Sequence, residues 1–249
     1  MSRGTKASDY RCPSCNFWFQ LKSQKSPIRS TITDGAYSAM MDVIREDRAP
    51  NYFFLHYDLA TWTVRNLLLI PHFAVPPSAI IKRPALSQTA RRAGWIGCNF
   101  ALNRIPPDAR ISIVTTRSAP VSVAAMPLGN RGLQVSKPVV GSKVSAAGDG
   151  RTPLTFIATP EEVRAQFRRV KPLEQLSVKT RGWTLDVLNI VRRLGKPEFS
   201  NSDVYAFAPE LEKLHPDNRH IKEKIRQQLQ LLRDTGLLLH AAPNTWHLP

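Results

Sequence analysis

The stretch 119–152 constrains this chain most. It contains no aromatic residue, five of the chain's 12 glycines, and many Ala, Ser, Val and Pro residues. A segment of that composition buries too little surface to offset the entropy of ordering it. It reads as a long flexible insert or linker. The 249 residues allow one large domain or two modest ones, and an apolar content of 42% is ordinary for a globular protein.

Before the insert, strands and a helix alternate. Residues 16–22 carry the aromatic content of a strand. Period-two geometry puts Phe17, Phe19 and Leu21 on one face, and Trp18, Gln20 and Lys22 on the other. Helical spacing follows over 33–44 at Ala36, Met40, Val43 and Ile44. Residues 52–57 and 64–70 read as two strands of a hairpin or meander stopped by Pro71, and 111–115 as another buried strand. The mixture predicts an α/β core.

After the insert, a strand or helix leads to about residue 171, and the pattern then turns compact and helical. Trp183, Val187, Ile190, Val191 and Leu194 keep helical spacing, and Gly195 stands where a helix C-terminus favours glycine. A short second helix is expected over 202–214, ended by Pro216. A third, over about 218–234, buries Ile221, Ile225, Leu229 and Leu232. A hairpin over 237–240 and 245–248 completes an α+β winged helix, a helix-turn-helix variant whose third helix enters the major groove. The expected division is 1–171, carrying the insert, and 172–249.

Charge narrows the partners. There are 35 Lys and Arg against 19 Asp and Glu, a net charge of +16 with a pI near 10.3. Such an excess costs self-repulsion unless a polyanion is bound. Residues 1–160 carry 20 basic and 8 acidic side chains, and 161–249 carry 15 and 11. A membrane is not favoured: the apolar runs at 66–70 and 237–239 fall far short of the roughly 20 residues of a span, and the first residues have no signal-peptide core. Three cysteines make no disulfide framework and point to a reduced, cytoplasmic setting. No glycine-rich phosphate loop is present, so no nucleotide cofactor is expected. His56, His72, His215 and His247 lack ligand spacing.

The catalytic candidate is Asp9, followed after ten residues by Gln20-Leu21-Lys22. Phosphodiester hydrolysis needs a divalent cation, a positioned water and compensation of phosphate charge. Two oxygen donors on adjacent strands can hold the cation, and a lysine two residues on reaches the same side. The spacing resembles the PD-(D/E)xK nuclease core, with Gln in the acidic position. Alone, it is equally the spacing of a surface aspartate and an ordinary strand with a polar face.

Five blocks carry a stronger resemblance: 30–37 (STITDGAY), 50–55 (PNYFFL), 89–99 (TARRAGWIGCN), 181–184 (RGWT) and 220–230 (HIKEKIRQQLQ). In this order they resemble the DpnI-like methyladenine-dependent type IIM restriction endonucleases over 9–118 and 155–249. The resemblance implies a PD-(D/E)xK α/β catalytic domain followed by a winged helix. It also implies metal-dependent cleavage of double-stranded DNA at GATC sites carrying N6-methyladenine, with Mg²⁺ as cofactor. Asp9 and Gln20 would then be ligands of the Mg²⁺ and Lys22 the catalytic lysine. Gln20 stands where the family has Glu. Its carbonyl oxygen still suits a hard cation, with one negative charge fewer.

Cys12 and Cys15 resemble half of the family's four-cysteine zinc site. The other half lies upstream of the aspartate in the family, and only eight residues precede Asp9 here. A shortened N-terminus is the expectation, and bare thiols compete with structural Zn²⁺, which takes four ligands. Cys98 stands alone as a small buried residue.

For DNA contacts, the third helix offers Lys222, Lys224, Arg226, Gln227 and Gln228 away from its apolar face. Arg suits guanine and Gln suits adenine in the major groove. By resemblance, Trp95 would pack on the methyl of the modified base while Arg91 and Arg92 hold phosphates. Trp95 is equally placed to be core, and Trp183 lies on an apolar stripe. The expected enzyme is a monomer in solution. A catalytically weakened homologue that binds methylated GATC without cutting is the competing reading.

Overall fold

The computed structural model describes residues 8–83, 88–89, 94–118 and 153–249. Strands β1 (Tyr10–Arg11), β2 (Trp18–Gln24), β4 (Asn51–Asp58), β5 (Thr63–Ile70), β8 (Ile111–Ser118) and β9 (Pro153–Ile157) form a six-stranded sheet in the order β1-β2-β4-β5-β8-β9. Among the described residues, only the β2–β4 pair of this sheet is parallel. Its crossover carries β3 (Thr31–Ala36) and helix α1 (Tyr37–Arg45). A second antiparallel sheet sets β3 and β6 (Ile80–Arg83) on either side of β7 (Gly97–Ala101). The mixed α/β architecture matches the expectation. Arg91, Arg92 and the 119–152 insert lie outside the described residues. The strands flanking the insert pair with each other, from Val114↔Ile157 to Ser118↔Pro153. The insert therefore joins two neighbouring strands of one sheet.

The two sheets meet through aromatic rings. Tyr52 and Phe54 of β4 stand edge-on to Phe100 of β7, at centroid distances of 5.0 and 5.1 Å. Met40, Met41 and Ile44 of α1 bury their side chains in the same core. Register places Gln20 beside Tyr52 and Lys22 beside Phe54. The polar face of β2 thus lies on the side of the sheet that packs inward, while Phe17 and Leu21 are exposed.

Residues 33–36, expected to begin a helix, are instead strand. Thr33 pairs with Asn99 and Asp34 with Cys98, and a bulge follows at Gly35. A cross-strand ladder supplies the backbone with partners there, and glycine weakens a helix start. The helix begins only at Tyr37, whose N–H donates to the Ile96 carbonyl.

After β9 come α2 (Pro160–Val170), α3 (Val178–Leu194), β10 (Glu198–Ser200), α4 (Asn201–Tyr205), α5 (Ala208–Leu214), α6 (Ile221–Asp234), β11 (Leu239–Ala242) and β12 (Thr245–His247). The expected three-helix pattern is present, with the second helix split. Pro209 opens α5 after Phe207, while Ser200 and Asp203 close a capping box on α4. The hairpin gains a third strand, because β10 pairs with β12. Gly195 ends α3 at φ +64°, a left-handed cap that glycine adopts without strain.

Helix α3 is buried on every side from Arg181 to Val191, as a helix packed between two partners must be. Toward α6, Thr184 Oγ1 donates to Gln228 Oε1 at 2.6 Å. Toward the first half, Ser78 Oγ donates to Asp186 Oδ1 at 2.5 Å, Asn189 Nδ2 to the Asn103 carbonyl at 3.0 Å, and Arg192 Nε to Asp108 Oδ2 at 2.7 Å. Arg181 pairs with Asp47. One contiguous apolar cluster runs from Ile32 to Trp246.

Candidate active site and nucleic-acid interface

The inward face of β2 holds polar groups that a core would normally exclude. Gln20 is buried and its Oε1 has no hydrogen-bond partner. Two further buried oxygens nearby are also unpaired: Asp34 Oδ2 on β3 and the hydroxyl of Tyr52, the register neighbour of Gln20. Each such atom costs about 1–3 kcal/mol if left dry. Their concentration here makes this face the candidate for a functional site.

Lys22 Nζ lies 2.6 Å from Asp34 Oδ1, which also accepts the Gly35 N–H at 2.6 Å. The Asp34 side chain is almost wholly covered while that of Lys22 is one quarter exposed, so the ammonium is tethered from behind and open in front. Burial pushes the Tyr52 hydroxyl pKa up, and the charge of Asp34 adds to the shift. Burial also raises the Cys98 thiol, to about 11, again with Asp34 contributing. Cys98 is fully buried and donates to the Gly35 carbonyl, as expected of a solitary apolar-type cysteine.

Asp9 flanks this face from the β1 side. Its N–H donates to the Phe19 carbonyl at 2.9 Å, and its Oδ2 accepts the Leu21 N–H at 2.7 Å. The carboxylate therefore stands at the surface alongside the peptide between Gln20 and Leu21. Its place is fixed by backbone, not by contact with Gln20 or Lys22. Among the described residues, no group of three or more His, Cys, Asp or Glu converges on one point. A cation here would rest on Asp9 and the amide oxygen of Gln20, and the unpaired Oε1 fits a hard-cation donor.

In front of Lys22 a groove of about 410 Å³ runs between β2 and β3, lined among others by Ser23, Gln24, Arg29, Thr31 and Thr33. Gln24 Nε2 donates to the carbonyls of Ser26 and Pro27 and so fixes the loop that forms one wall. None of the lining residues is acidic.

Cys12 and Cys15 occupy the β1–β2 turn, where the Asn16 N–H returns to the Cys12 carbonyl at φ +61°. Both are free thiols. Hydrogen bonds from the Cys15 and Ser14 backbone draw the Cys12 pKa down. The turn presents two sulfurs on one side. Two donors fall short of the four of structural zinc, and the described residues add no third.

Trp95 is partly exposed, at 38%. A Cβ at Gly97 would come within 2.8 Å of its indole, so glycine is what lets the ring fold back over the strand. Gly94, at φ +67°, makes the turn that delivers it. Trp95 is thus neither plain core nor free surface. Trp183 is core, stacked on His215 at 3.6 Å.

On α6, Lys222, Arg226 and Gln227 are exposed and Lys224 is half-buried. Arg226 Nε donates to the Tyr205 hydroxyl at 3.3 Å, and Lys222 lies over the same ring. Lys224 Nζ donates to Gln227 Oε1 at 2.7 Å. Its pKa is lowered by desolvation and by neighbouring Lys179. Gln228 corrects the sequence reading. It is fully buried, bonded to Thr184, and faces α3 instead of solvent. Its spacing from Ile221 and Ile225 already put it at the edge of the apolar face, and a buried Gln is tolerated because it is paired.

Asp34 is the functional candidate that sequence reading does not find. It lies within the STITDGAY block, where an apparent helical period hides it. The signal that could have found it is an Asp in a strand interior, where the type is depleted.

These positions fall within two family matches. The Dam-replacing family model (DpnI) matches residues 1–124. The Dam-replacing helix-turn-helix domain model (DpnI_C) matches residues 179–246. Their order along the chain is that of the sheet core and the α3–α6 helical unit. The chain belongs to the Dam-replacing family.

Proposed function

We propose that this protein is a modification-dependent restriction endonuclease that hydrolyses double-stranded DNA at GATC sites carrying N6-methyladenine, using a PD-(D/E)xK-type centre at Asp9, Gln20 and Lys22. The observation that carries the reading is the inward face of β2, where the buried, unpaired Gln20 Oε1 and the tethered Lys22 share one strand face. Family membership and a helix-turn-helix unit support DNA as substrate. Among the described residues, no helix is long and apolar enough to cross a membrane.

Asp9 and Gln20 would hold Mg²⁺. When bound, the cation offsets phosphate charge and lowers the pKa of a water that attacks phosphorus. Lys22 presents its ammonium to the phosphate or the water from a fixed position. The acid-free groove in front of it takes the DNA backbone, with Arg29 as a counter-charge. Lys222, Arg226 and Gln227 read the duplex from α6. Trp95 is assigned to the methyl group of the modified base, and Arg91 and Arg92 to phosphates. No step is assigned to zinc at Cys12 and Cys15.

The test is digestion of one plasmid, prepared with and without adenine methylation at GATC, by the purified chain in Mg²⁺. Cutting of the methylated plasmid alone is expected. Equal cutting of both would remove the methyl readout from Trp95 and α6. Binding of methylated GATC without cutting would establish the alternative, a DNA-binding homologue weakened by the neutral Gln20.

A further inference from the structure

The charge count at the β2 site leaves a gap that the structure fills from an adjacent sheet. Of the three residues in the proposed centre, Asp9 is negative, Lys22 positive and Gln20 neutral, so together they carry no net charge. A site with no net charge holds a dication poorly, because Coulomb attraction is the main term favouring a hard cation over its hydration shell. Asp34 alters that sum. It reaches in from β3, is only 8% exposed, and ties Lys22 Nζ at 2.6 Å through Oδ1. Its other oxygen, Oδ2, is buried and unpaired, like Gln20 Oε1. The carboxylate is held rigidly, because Oδ1 also accepts the Gly35 N–H at the bulge of β3.

We propose that Asp34 is a positioning residue that cancels the charge of Lys22 and so supplies the negative charge the Gln20 site needs to hold a divalent cation. This rests on the cation-dependent reading above. Asp34 acts through Lys22 and through the field at Gln20, and it need not touch the cation. The role also explains the burial of a carboxylate on a lysine that is itself partly open. A pair serving only stability would gain little, since a buried ion pair is no better than apolar packing.

The experiment is Mn²⁺ titration of the full chain without DNA, read by electron paramagnetic resonance, on wild type, Asp34→Asn, Gln20→Glu and the double variant. Thermal melting of each variant runs alongside. Asp34→Asn keeps the shape and removes one charge, and Mn²⁺ affinity should fall on the order of tenfold. Gln20→Glu adds a charge and should tighten binding by a similar factor. The double variant should return close to wild type. Equal affinity in wild type and Asp34→Asn would overturn the proposal, as would a Gln20→Glu that neither tightens binding nor rescues the double variant. Where Asp34→Asn does not fold, Asp34→Ser takes its place, with the same fall in affinity expected and an unaltered affinity overturning the proposal. A wild type that binds no Mn²⁺ would instead remove the cation-dependent reading itself.

Discussion

On β2, Gln20 and its neighbours Asp34 and Tyr52 carry buried oxygens without partners, and Lys22 is held by a carboxylate from another sheet. On α6, Lys222, Arg226 and Gln227 stand in the open, and the buried Gln228 is paired with Thr184. Polar groups at the first place cost stability and make sense only if something else completes them. Polar groups at the second cost little and can meet a partner without rearrangement. Under the proposed function, the contrast is that between a reaction centre, which must be preorganised and dry, and a reading surface, which exchanges water for phosphates and base edges. Between them, α3 is buried all round and bonded to both sides.

The largest expected effect separates these two kinds of polar group by their stability cost. Gln20→Leu removes the unpaired oxygen and should slow cleavage on the order of a hundredfold, since holding the metal is worth several kcal/mol. Its melting temperature should stay level or rise, because replacing an unsatisfied polar group by an apolar one is neutral or stabilising. Parallel cleavage assays and melts check this. A fall in both would make Gln20 an ordinary structural residue.

Next in size, Lys222→Ala with Arg226→Ala should weaken binding to methylated GATC duplex, by roughly 1–3 kcal/mol for each side chain that reaches a base edge. For each of the two that instead neutralises a phosphate, the salt dependence should shallow by about 0.9. The melting temperature should not change. Fluorescence anisotropy over a salt series measures both. An unaltered affinity and salt slope would leave α6 a solvated surface.

Gln228→Ala should behave in the opposite way. It removes the Thr184–Gln228 hydrogen bond, leaving the Thr184 hydroxyl on the Thr180 carbonyl, and opens space against α3, at a cost of about 0.5–3 kcal/mol. A melt several degrees lower is expected, with DNA affinity of the folded protein kept.

The smallest effect is a pH dependence at the seam between the halves. His72 is mostly covered and lies 3.2 Å from Glu174. Burial lowers its pKa below the usual 6.5, with Glu174 opposing the shift. The folded state thus takes up its proton later than the unfolded chain does. Stability from this group is full above pH 6.5 and declines as pH falls through that value. Denaturant melts at pH 7.5 and 5.5 should show a smaller drop in stability for His72→Gln than for wild type.

Much of this was legible in the sequence. The α3 stripe from Trp183 to Leu194 and its Gly195 cap follow from helical spacing alone, and the β4–β5 hairpin from its apolar runs. The pairing of Gln20 with Lys22 follows from strand period two. What period two cannot say is which face turns inward. Leu21 is exposed and Gln20 buried, because β2 is placed by its parallel pairing with β4. Asp34 was hidden for the same reason. Its strand exists only through the β7 ladder, a non-local partner that local spacing does not reveal. The third strand of the small sheet, three residues long, likewise owes its existence to β12.

The most direct test of the division between cutting and reading is Lys22→Ala, assayed on one methylated GATC duplex for both binding and cleavage in Mg²⁺. Cleavage should slow on the order of a hundredfold, as when one preorganised charge donor is removed from a reaction centre, while binding stays close to wild type. Cleavage at wild-type speed, or binding that weakens in step with cleavage, would contradict the assignment of chemistry to β2 and recognition to α6.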